Sequence, residues 1–169
     1  MWIRQTVICA TVIVLAVMLQ LTLLSRLGLP GATPDLVVVC VVALALAYGP
    51  LTGAVVGFAA GLVLGFTPPA GGVIGIQALI FLVIGFLTGA VIDPRDRTVP
   101  VLMGLVGLST GAATLAYAVL IAGFGGKQVA WDAVPALVLT SSLYGLILAP
   151  VVVPTISWLV RRVTPEIAI

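Results

Sequence analysis

The groups that could do chemistry in this chain are few. Lys127 is the only lysine, no histidine is present, and the densest ionisable cluster is Asp93, Arg95, Asp96 and Arg97 within DPRDRT. An enzyme needs a base, a nucleophile and a stabiliser of developing charge that converge in space. Four charges adjacent in sequence at the edge of an apolar run read instead as membrane-edge anchors. Arg95, Asp96 and Arg97 are in addition candidate contacts for a soluble partner. Cys9 and Cys40 lie inside apolar runs, where a thiol serves as a small buried hydrophobe rather than as a disulfide or metal ligand. Without histidine, zinc and haem lose their usual ligand. No catalytic, cofactor or metal site is expected.

A neutral polar set remains: Gln20, Gln77, Thr114, Thr140, Ser141, Ser142 and Tyr144. Ion-coupled transporters place ionisable residues near the bilayer midplane, and none falls there in this chain. Gln20, Gln77, Thr114 and Ser141 are candidates for an outward polar cavity. The same hydroxyls and amides could equally be spent on hydrogen bonds between helices or to carbonyls four residues back. Asp35 follows Pro34 and precedes an apolar run, the position of a carboxylate that caps a helix and meets the positive end of its dipole.

The elements that must hold these residues are apolar helices. The chain is 62% hydrophobic and 7% charged, with a mean hydropathy of +1.37, more apolar surface than a soluble domain can hide. The expected fold is all-α: a polytopic membrane protein with about six transmembrane helices in one bundle, a single integral membrane domain over 1–169. The apolar runs place spans at approximately 5–24, 35–48, 51–66, 73–92, 99–124 and 133–160. The first run is too long for a signal-peptide core and reads as a retained span. Spans two and three, parted by Gly49-Pro50, are short for a hydrocarbon core of about 30 Å, so either their caps extend into the loops, the bilayer thins, or the pair is a re-entrant hairpin. Pro150 and Pro154 are expected bend points in the last span.

Glycine spacing is the strongest pattern. Gly53, Gly57, Gly61 and Gly65 recur every four residues and make one groove along a helix, and Gly85 and Gly89 repeat the spacing in the next span. Glycine costs about 1 kcal/mol against alanine inside a helix, so close approach of another helix must have decided these positions. The groove serves either packing within the bundle or a partner's helix, and it leaves self-association open. With six spans, Arg4, Arg95, Arg97, Arg161 and Arg162 share one side and only Arg26 and Lys127 the other, which makes both termini cytoplasmic by the positive-inside rule. The net charge of +2 is too small and scattered to suggest nucleic-acid binding.

The order of motifs goes further than composition. PDLVVVCVVALALAYGPLTGAVVGFAAGLVLGF, followed by GVIGIQALIFLVIGFLTGAV, resembles the rod shape-determining MreD family. The shared features are a Pro-Asp-Leu opening, a Gly-Pro turn, a G-x-x-x-G-F-x-x-G-L helix, and a helix ending Gly-Phe-Leu-x-Gly. Many members of that family carry an acidic residue after the G-L run, where this chain has Gly65-Phe66, so no role of that carboxylate carries over. The resemblance implies a non-catalytic scaffold subunit of the cell-wall elongation complex in the bacterial cytoplasmic membrane. Its implied partners are MreC and, through the complex, MreB, RodA and a penicillin-binding transpeptidase. The family is distantly similar in fold to the S components of energy-coupling-factor transporters, which supplies the alternative: a subunit that binds a vitamin-sized molecule for transport.

Overall fold

The computed structural model describes residues 2–22, 34–66, 75–91, 98–124 and 129–163. They form six helices: α1 (Trp2–Thr22), α2 (Leu36–Tyr48), α3 (Pro50–Gly65), α4 (Ile76–Val91), α5 (Val99–Gly123) and α6 (Val134–Val163). Three of these, α1, α5 and α6, are long and apolar enough to cross a membrane. At 13, 16 and 16 residues, α2, α3 and α4 are shorter apolar helices. A rise of 1.5 Å per residue gives such helices only about 20 to 24 Å of length.

The centre of the bundle is α2, which packs on all five other helices. Its sequence, LVVVCVVALALAY, carries no polar face, and a helix apolar all round is one that other protein surrounds. Every residue from Val37 to Leu46 is buried. Lipid tails are as apolar as these side chains, so what holds α2 in place is the dispersion gained against a close-packed protein surface rather than escape from water.

Between α2 and α3 the chain reverses at Gly49. Its φ of 91° lies where residues with a Cβ are strained, and Pro50 then opens α3 at a position whose missing N–H costs nothing. The Gly49 N–H closes the end of α2 on the Ala45 carbonyl at 2.8 Å, and its own carbonyl accepts from Gly53 at 3.0 Å to start α3. At the first turn of α1, Gln5 Nε2 donates to Thr52 Oγ1 at 3.1 Å and ties α1 to α3.

The two most extensive pairings are α3 with α4 and α5 with α6. Pro150 and Pro154 lie inside α6, which runs unbroken through both. The last turn of α6 carries Arg161 and Arg162, cations suited to the negative end of the helix dipole, and the Arg162 guanidinium lies 4.4 Å from the centre of the exposed Trp158 ring. Much of the outer surface is apolar, including Val14 and Met18 on α1, Val55 on α3, Leu87 on α4, Leu108 on α5 and Leu139 on α6. A surface of this kind is suited to lipid and would aggregate in water.

Candidate functional site

The polar residues gather first at the start of α2. Gln20 Oε1 accepts from the Val37 N–H at 3.0 Å, while Asp35 Oδ1 accepts from the Val38 N–H at a longer 3.4 Å. The Gln20 side chain also lies within hydrogen-bonding reach of the Asp35 carboxyl. The free amides of this first turn are therefore shared between the residue that precedes the helix and an amide delivered by α1. By distance, the amide makes the better bond.

Asp35 does more than cap. Together with Gln77, Ile80, Phe81, Ala113, Thr114, Tyr117 and Leu137 it lines a cavity of about 330 Å³, drawn from the start of α2 and from α4, α5 and α6. Of the residues expected to form a polar cavity, Gln77 and Thr114 do line it. Gln20 and Ser141 do not: one is turned to the α2 amides, and the other is buried between α5 and α6. Tyr117 was not foreseen, although it stands three residues beyond Thr114 and so on the same helix face.

Ser141 belongs to the seam between α5 and α6. Thr114 Oγ1 lies 2.9 Å from Ser141 Oγ, and Ser141 Oγ in turn donates to the Val138 carbonyl at 3.0 Å. Thr110 Oγ1 lies within 3.1 Å of the Val106, Gly107 and Ser141 carbonyls, so its single proton is shared within its own helix and across to α6. Gly145 faces it: a Cβ there would meet Thr110 Cγ2 at 2.9 Å. Thr140 turns back on its own helix, 2.8 Å from the Ala136 carbonyl. Cys9 and Cys40 are free thiols in the core.

The glycine groove of α3 is filled by α4 of the same chain. A Cβ at Gly57 would collide with the Phe81 carbonyl, and one at Gly61 with the Ala78 backbone. Gly53 and Gly85 face each other, and a Cβ at Gly89 would stand 2.7 Å from Pro50 Cα. Gly65 is different, because among the described residues a Cβ there meets only the Gly75 nitrogen, at 4.0 Å. These glycines thus bring two backbones together along the α3–α4 hairpin. Arg95, Asp96 and Arg97 lie outside the described residues, as do Arg26 and Lys127.

A second recess has the opposite character. Between α1 and α6, with α2 at its floor, a cleft of about 260 Å³ is walled by Val12, Leu15, Ala16 and Leu19 of α1, Leu36 and Cys40 of α2, and Val151, Val152, Thr155, Ile156 and Leu159 of α6. Among the described residues Thr155 is its one hydroxyl, and none that lines it is charged. Among the described residues no three histidine, cysteine, aspartate or glutamate side chains gather as a metal site would require. Comparison of the chain with protein-family models, with curated proteins and with solved structures returns no match.

Proposed function

We propose that this protein is a non-catalytic membrane scaffold of the MreD type, which holds a partner's transmembrane helix in the cleft between α1 and α6. The observation that carries this reading is the cleft itself. It is an apolar recess flanked by the two helices that begin and end the bundle, while the glycine groove is already occupied by α4. Large side chains of a partner helix would seat in it as knobs, gaining contacts that mobile lipid tails give less well. The resemblance of the Pro-Asp-Leu, Gly-Pro and Gly-Phe-Leu-x-Gly motifs to the MreD family makes MreC the natural partner. MreB, RodA and a penicillin-binding transpeptidase would then be reached through the complex. On this reading the chain is a multi-pass protein of the bacterial cytoplasmic membrane with both termini in the cytoplasm.

Affinity purification from gently solubilised membranes tests the proposal. Recovery of an MreC-like protein supports it, and recovery of an ATPase instead supports the alternative, a transport subunit of the S-component kind. The cavity at Asp35 is what favours that alternative. Topology has its own test: alkaline phosphatase fused after Ile169 should be inactive, and an active fusion would place the C-terminus outside.

A further inference from the structure

Among the described residues, the cavity beside α2 is lined by one charged side chain and by no basic one. Asp35 contributes a carboxylate, Gln77 an amide, Thr114 and Tyr117 hydroxyls, and the remaining wall is apolar. The Thr114 proton is directed to the Thr110 carbonyl at 3.1 Å or to Ser141 Oγ at 2.9 Å, which leaves the lone pairs of its oxygen as acceptors. Asp35 accepts the long Val38 bond and lies within reach of the Gln20 amide and the Val37 N–H, and two carboxylate oxygens with about four lone-pair sites still retain acceptor capacity. Acceptors therefore converge on the space from three helices, around a negative charge that apolar surroundings make costly to leave uncompensated.

We propose that this cavity binds a small organic monocation: a primary ammonium group set against Asp35 and carried on a compact apolar body that lies against Ile80, Phe81 and Leu137. An ammonium has three N–H donors and no acceptor, which matches a carboxylate flanked by an amide carbonyl and hydroxyl oxygens. An anion would face the Asp35 charge. A hard divalent cation would find one carboxylate where such ions take several oxygen ligands. At about 330 Å³ the cavity falls within the size range of small-molecule sites. The site lies apart from the α1–α6 cleft and holds whichever partner the chain keeps.

The test is equilibrium dialysis of the full chain in detergent against radiolabelled phenethylamine at neutral pH, where the amine is protonated. Phenethyl alcohol serves as the uncharged competitor, and protein-free micelles of the same detergent correct for amine taken up by micelles. Saturable binding of one amine per chain is expected, weakened about tenfold or more by Asp35→Asn. Asparagine caps a helix as well as aspartate does, so the fold should persist. Gln77→Leu, which touches no cap, should weaken binding severalfold and carries the test if the Asp35 variant does not fold. Absence of saturable binding, unchanged affinity in the variant that folds, or equal competition by the alcohol would overturn the proposal. None of these outcomes bears on which protein co-purifies with the chain.

Discussion

Gly53 and Gly85 stand backbone to backbone: a Cβ built on either one collides with the carbonyl oxygen of the other. Rigid backbone, unlike the tip of a side chain, cannot turn aside, so the approach of α3 to α4 depends on both residues lacking a side chain. Gly57 against the Phe81 backbone and Gly61 against the Ala78 backbone are as close, and there only the α3 residue must lack a side chain.

The first prediction separates glycines that look alike in the sequence. Alanine at Gly57 gains up to about 1 kcal/mol of helix propensity, but overpacking against a fixed backbone costs about 1–3 kcal/mol, so the loss wins. At Gly65 and Gly104 an added methyl meets no close neighbour among the described residues, and the gain should prevail. Thermal unfolding in detergent should rank Gly57→Ala and Gly53→Ala below wild type, with Gly65→Ala and Gly104→Ala at or above it. Equal midpoints for all four would mean that α3 and α4 are not packed along this line.

The four-residue glycine period named the face, and it could not name the partner. Periodicity describes one helix, whereas the choice of α4 over a foreign helix depends on the hairpin that joins them. Gly65 keeps the period yet leaves the seam, because α4 starts only at Ile76 and supplies no further turn to meet it. Asp35 was legible as a cap since its signal is local, the carboxylate and the amides being three residues apart. Gln20 was not, for it reaches α2 from 17 positions away, and an amide in an apolar helix has no periodicity that announces its target. The central place of α2 could be read from its lack of any polar face. The position of the α1–α6 cleft could not, because lipid-facing and partner-facing apolar residues have the same chemistry.

The shared cap at α2 gives a second prediction. Gln20→Leu removes the 3.0 Å acceptor of the Val37 amide and should cost about 1 kcal/mol, the usual loss for a capping bond. Asp35→Ala should cost a similar amount, about 1 kcal/mol, and Asp35→Asn much less. Because Gln20 also reaches the Asp35 carboxyl, the double variant should depart from the sum of the singles by about 0.5 kcal/mol or more. Strict additivity in denaturant titrations would show that the two side chains act separately.

The α5–α6 seam yields a third. Thr110 is held by carbonyls on both helices, and Gly145 leaves the space in which its side chain sits. Thr110→Val or Thr114→Val should each cost about 0.6 kcal/mol, the ordinary value of an interhelical hydrogen bond in a bilayer protein. Gly145→Ala should cost more, since its methyl must displace a side chain fixed at its oxygen. Adding Thr110→Ala should then restore part of the loss by vacating that space. A Gly145→Ala protein that Thr110→Ala only destabilises further would place the strain elsewhere.

The last prediction bears on function through the α1–α6 cleft. Thr155 is exposed on α6 and lines the cleft, so a tryptophan there fills the recess without entering the core. Leu108, 74% exposed on α5 and no part of the cleft wall, is the matched control. If a partner helix seats its side chains between α1 and α6, Thr155→Trp should lower the co-purified partner about tenfold, a loss of about 1.4 kcal/mol, with an unfolding midpoint close to wild type. Leu108→Trp should leave both quantities unchanged. Quantitative mass spectrometry of the affinity-purified complexes reads the ratio directly. Because an obstructed cleft can weaken only what docks there, undiminished partner recovery from a folded Thr155→Trp protein would move the docking surface to another face of the bundle.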